Sequence, residues 1–115
     1  FRTPCPFRAD VAVDIDGALE AKVDAMACHE SQVFEWLPYN RGELDEVPAD
    51  ANERRTWLRA HLLPRFSRPA EEWRDLLIAR YGAERGARVV CAEAFQISEY
   101  GRQPSAEELQ ALFPF

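Results

Sequence analysis

Residues 10–17 read Asp10-Val11-Ala12-Val13-Asp14-Ile15-Asp16-Gly17, and this stretch decides what the chain can build. Val11 and Val13 alternate with Ala12 and Asp14, which is the two-residue period of a strand, and Asp16-Gly17 stops it. A helix is expected to begin at that stop. Asp14 or Asp16 can cap it, because a carboxylate there accepts a bond from an orphan backbone N–H and suits the positive helix end. Leu19, Val23, Met26 and Val33, with Ala27 and Glu30 between, recur at three- and four-residue steps, so one face is apolar to about Ser31. Pro38 is expected to end any continuation. Residues 11–37 therefore read as a strand followed by a helix.

Working outward, residues 38–50 turn to Asn, Gly, Pro and acidic side chains, including Asn40-Arg41-Gly42 and Val47-Pro48, and predict a surface loop. Two helices are expected in 51–87. The first follows Asp50, carries Trp57, Leu58, His61 and Leu62, and stops at Pro64. The second starts at Ser67 with Pro69 in its first turn, carries Trp73, Leu76, Leu77 and Tyr81, and ends at Gly82 or Gly86. Within 88–97 the apolar run from Val89 to Phe95 predicts a buried strand that holds Glu93. In the tail, 98–115, Ser105-Ala106-Glu107-Glu108 has capping-box spacing and opens a short helix that Pro114 halts. Residues 1–10 read as an extended connector cut from something longer, beginning at Phe1 without an initiator Met.

Composition narrows the partners. A chain of 115 residues suffices for one domain that buries roughly two-thirds of its unfolded surface. The net charge of −6 argues against nucleic acid or an anionic membrane, since a phosphate backbone needs clustered cations. No stretch is apolar enough for a membrane span. Cys5, Cys28 and Cys91 form no Cys-x-x-Cys pair and are odd in number, which argues against a disulfide framework and a structural zinc site and points to a reducing cytoplasm.

His29 and His61, the only histidines, do not have the spacing that puts two imidazoles on one metal, so no metal ligand is assigned in this chain. Ser31 lies two residues from His29, and residues two apart on a helix point away from each other, which excludes a nucleophile–base pair there. No catalytic residue is assigned either. Two roles stand for His29, Ser31 and Gln32: to terminate the helix and anchor the next loop, or to bring His29 or Gln32 to an active-site rim. Glu93, a carboxylate inside an apolar strand, must be paired, hydrogen-bonded or protonated, and Lys22, the only lysine, is its expected partner. The aromatic group Phe34, Trp36 and Tyr39 can pack against the core or stack on a sugar ring. The substrate-binding candidates are thus His29, Gln32 and Glu93.

Taken in order and spacing, Asp14-Ile15, Lys22, His29-Glu30-Ser31-Gln32 and Ala92-Glu93-Ala94-Phe95 resemble the C-terminal part of the LmbE-like (PIG-L) family of zinc-dependent N-acetyl deacetylases. Gly82-Ala83-Glu84-Arg85-Gly86 and Leu112-Phe113-Pro114 extend the resemblance over nearly the whole chain. It implies an α/β fold, the C-terminal part of a Rossmann-like domain that is helix-rich here with two short strands. The family holds one zinc through His, Asp and a second His. There the metal activates water and polarises the amide carbonyl of an N-acetylglucosamine-type substrate, with an Asp as general base. The family's His-Pro-Asp-Asp-Glu sequence and later His-containing metal motif lie upstream of the matching region, so none of these groups falls on this chain.

The expectation is therefore the C-terminal portion of a deacetylase, inactive alone. Its zinc is bound by residues outside the segment, its partner is the N-terminal half of the same enzyme, and its substrate is a small amino-sugar conjugate. Strands with exposed edges would associate without their sheet partners, which makes a homo-oligomer a further expectation. A different class of reading is a non-catalytic helical interaction domain that uses the 38–50 loop or an apolar helix face.

Overall fold

The Val11-Ala12-Val13 run does form a strand, β1 (Val11–Asp14). In the computed structural model, which describes residues 6–113, β1 pairs antiparallel with β2 (Ala92–Phe95). Val13 lies opposite Glu93, and Ala12 opposite Ala94. Val11, Ala12 and Val13 are all buried, so both faces of the strand are covered. β2 is shorter than the apolar run 89–95 suggests. The Val90 and Cys91 N–H groups donate to the Asp16 carboxylate, at 3.0 and 2.6 Å, instead of extending the strand. Of the connector 1–10, residues 1–5 lie outside the described part. Asp10 N–H donates to the Phe95 carbonyl at 2.8 Å and Ala9 is buried, so the chain is tied to the sheet before β1 begins.

Asp16 thus staples two segments, and Asp14 serves the turn by accepting from Asp16 N–H at 3.0 Å. A 3₁₀ turn (Asp16–Ala18) leads into α1 (Leu19–Ala27), which ends before Ser31. A π-helical segment (Ser31–Trp36) then runs straight into α2 (Leu37–Arg41). Pro38 does not end the helical run as expected; it sits in the first turn of α2, where a missing N–H is tolerated. Gly42, at φ +72°, closes α2, and a 3₁₀ turn (Leu44–Glu46) follows. Much of the expected 38–50 loop is therefore helical.

Asp50 caps α3 (Ala51–Glu72) by accepting from Asn52 and Glu53 N–H at 2.9 and 3.1 Å. The first expected helix does not stop at Pro64: α3 runs on to Glu72 and takes in the opening turn of the second, whose remainder, with Leu76, Leu77 and Tyr81, is a separate helix beyond Trp73. Proline in a helix interior costs about 3 kcal/mol, and α3 contains Pro64 and Pro69. The compensation lies along its length. Leu58, Leu62, Phe66 and Ala70, spaced four apart, form one ridge that crosses from one core cluster to the next. Leu58 and Leu62 pack with Val23, Val33 and Phe34, whereas Ala70 packs with Leu77, Val89, Ala12 and Ala92. Breaking the helix at Pro64 would separate the two.

After α4 (Arg74–Tyr81), Gly82 at φ +83° turns the chain into α5 (Ala83–Arg88), a helix that its polar sequence did not predict. Arg74 supports it, donating to the Gly86 and Val89 carbonyls at 2.8 and 2.7 Å. α6 (Ala106–Leu112) carries the expected capping box: Ser105 Oγ accepts from Glu108 N–H at 3.2 Å and the Glu108 carboxylate accepts from Ser105 N–H at 2.8 Å. No helix among the described residues is long and apolar enough to cross a membrane.

Candidate functional site

Lys22 projects from α1 and Glu93 from β2, and the two form the ion pair expected from the sequence. Both side chains are about one-third exposed, and the Lys22 ammonium also lies 4.9 Å from the Phe66 ring centroid. Glu93 is therefore a paired carboxylate, committed to holding α1 against the sheet. Next to it, the Arg85 guanidinium reaches the Asp14 carboxylate at 3.1 Å and lies 4.4 Å from the Tyr81 ring, while Tyr81 Oη accepts from Asp14 N–H at 3.1 Å. The end of β1 is thus held from α4 and α5 through polar contacts, and β2 is held from α1.

His29 and Gln32 lie elsewhere. His29 occupies the junction between α1 and the π-helical segment, where its N–H donates to the Met26 carbonyl and its own carbonyl accepts from Gln32 and Val33 N–H. Both side chains are exposed, and among the described residues neither bonds to Glu93 or Lys22. The three substrate-binding candidates are consequently not one cluster: Glu93 belongs to the sheet, and His29 and Gln32 to the helix junction.

Gln32 does have neighbours with chemistry. It lines an open depression with Ser31, Glu35, Trp36, Tyr39 and Leu44. Phe34 is buried in the core, but Trp36 is 56% and Tyr39 70% exposed, so the aromatic group divides between packing and surface. A row of amide, carboxylate, indole and phenol side chains can bond hydroxyl groups and stack on the apolar face of a ring. Glu35 and Leu44 were not singled out by sequence reasoning. The signal was there in the steps 32, 35–36 and 39, which place these side chains on one helical face.

A second concavity, lined by Met26, Leu37, Leu62, His61 and Arg65, lies where the α1–α2 segment meets α3. The sequence placed His61 on the helix with Trp57 and Leu62 and assigned it no metal role. Its ring stacks on Trp57 with centroids 3.9 Å apart, and its Nδ1 is 2.9 Å from the Trp57 carbonyl. Cys91 is buried beneath Asp16; burial pushes its thiol pKa up, and the Asp16 carboxylate adds to the effect, so the group stays a protonated thiol. Among the described residues no group of three or more His, Cys, Asp or Glu side chains could hold a metal ion.

Comparison with protein-family models, with curated proteins and with solved structures gives no match to this chain.

Proposed function

We propose that the chain is the C-terminal part of a zinc-dependent N-acetyl deacetylase of the LmbE-like type, in which it completes a Rossmann-like sheet and one wall of the substrate site. The observation that carries this reading is the Lys22–Glu93 pair, which joins two widely separated pieces of the sequence signature into one structural unit. Further support comes from β1, which is covered on both faces yet has a single strand neighbour among the described residues. Such a strand suits the interior of a larger sheet. The zinc is assigned to residues outside this segment, as the resemblance implies. On this reading the chain's own contribution is positional: Lys22 and Glu93 fix α1 on the sheet, and Gln32, Glu35, Trp36 and Tyr39 face an amino-sugar conjugate.

The test is made on the polypeptide, or pair of polypeptides, that contains this chain as the cell produces it. The expected result is near-stoichiometric zinc, a His-Pro-Asp-Asp-Glu sequence upstream of Phe1 or on a companion chain, and release of acetate from N-acetylglucosamine conjugates that chelation abolishes. A metal-free protein that binds another macromolecule and releases no acetate would overturn the proposal in favour of an interaction domain.

A further inference from the structure

The cleft between the α1–α2 segment and α3 encloses about 300 Å³, at the lower end of the roughly 300–1,000 Å³ of small-molecule sites. Met26, Leu37 and Leu62 line it with apolar surface. Its polar groups are few. Arg41 and Glu43 neutralise each other at 2.6 Å, whereas Arg65 is exposed and makes no ion pair or hydrogen bond among the described residues. His61 faces the same cleft one helical turn before Arg65. A backbone carbonyl can only accept, so the proton of the neutral ring is held on Nδ1 by the Trp57 carbonyl, and Nε2 is its remaining polar atom.

We propose that this cleft binds a small amphiphilic carboxylate, such as a medium-chain fatty acid. Arg65 takes the carboxylate in a charge-assisted bond. His61 lies beside it in the cleft lining, its ring held on Trp57. The alkyl chain lies along Met26, Leu37 and Leu62. Charge complementarity selects this occupant. An apolar cleft whose unpaired charge, among the described residues, is the Arg65 cation favours an anion over a neutral lipid or a basic peptide, even against the chain's net charge of −6. The site does not depend on the deacetylase reading and uses none of its residues.

Titration of the ¹⁵N-labelled full chain with octanoate, kept below micelle formation, tests the proposal. Octanoate is expected to shift the Trp57 indole and the amides flanking His61 and Arg65 in a saturable manner. Octanamide, which has the same chain and no charge, and the Arg65→Gln variant titrated with octanoate should each bind at least tenfold more weakly. Arg65 is exposed, so the variant should fold; its unchanged spectrum would verify this. Equal binding of octanoate and octanamide, no loss on Arg65→Gln, shifts confined to other surfaces, or no saturable shift would each overturn it.

Discussion

Gly86 in α5 lies so close to Ile78 in α4 that a Cβ added to the glycine would come within 2.5 Å of the Ile78 Cα and 2.6 Å of its amide nitrogen. Backbone atoms on one side and helix on the other leave nothing that can rotate away. Gly86→Ala is therefore expected to destabilise the chain by about 1–3 kcal/mol through overpacking, despite the better helix propensity of alanine. Thermal denaturation followed by circular dichroism measures this. Gly17→Ala is the control, since a Cβ there meets nothing within 4 Å. A Gly86→Ala protein as stable as its parent would show that α4 and α5 do not pack this closely.

The Lys22–Glu93 pair joins residues 71 apart in sequence while remaining about one-third exposed. Solvent screens such a pair, so a double-mutant cycle with Lys22→Met and Glu93→Gln should give a coupling of about 0.5–1 kcal/mol, falling as salt is added. Lys22→Met alone should cost less than Glu93→Gln, because the methionine retains the contact with Phe66. Chemical denaturation of the four proteins gives the coupling. A value indistinguishable from zero at low salt would mean that α1 is held on the sheet by apolar packing alone.

Charge also ties α1 to α3. Arg59 and Arg55 donate to Glu20 at 2.6 and 3.0 Å, and Arg55 donates to Asp24 at 2.6 Å. The hydrogen bond from Arg59, followed by that from Arg55, lowers the Glu20 pKa, and Arg55 lowers that of Asp24. A carboxylate with a depressed pKa in the folded state contributes stability above its unfolded value and loses it as pH falls through the folded one. At low salt and pH about 7, a Glu20→Gln/Asp24→Asn variant should therefore melt below the parent, and the gap should close as pH drops below about 4, the unperturbed carboxylate range. High salt should narrow it at neutral pH, since all these groups are exposed. A gap that persists in acid would assign the loss to packing instead.

The features legible in the sequence were those with a local cause. Alternation at Val11–Val13 placed β1, the Asp50 carboxylate placed the start of α3, and the Ser105/Glu108 spacing placed α6 with its capping box. The Lys22–Glu93 pair was accessible because a carboxylate in an apolar strand needs a partner and the chain holds a single lysine. Features that stayed hidden depended on distant parts. α5 has no apolar stripe, and Arg74, from the preceding helix, satisfies the carbonyls at its end. Pro38 looked like a stop because the π-helical segment that carries the chain past it has no period of its own. Of the candidate site, Gln32 keeps company with Trp36 and Tyr39 as the spacing allowed, but Glu93 is engaged in the sheet and the His61–Arg65 cleft takes its opposite wall from the α1–α2 segment.

The passage of α3 through Pro64 makes the last prediction. Pro64 has no N–H for the Ala60 carbonyl, and both residues are exposed, so water can satisfy that carbonyl without removing the cost of the ring's clash. Replacing Pro64 with alanine restores the helical bond and relieves the clash; the unfolded chain gains freedom, which returns up to about 1 kcal/mol of the benefit. The net expectation is stabilisation by about 1–2 kcal/mol, read as a higher denaturation midpoint with an unchanged slope. Pro69→Ala should gain less, because Pro69 is only partly exposed and beside buried Ala70, where losing the ring also loses contact. If Pro64→Ala instead lowers the midpoint, the proline holds a bend that the Leu58–Ala70 ridge needs to reach both core clusters.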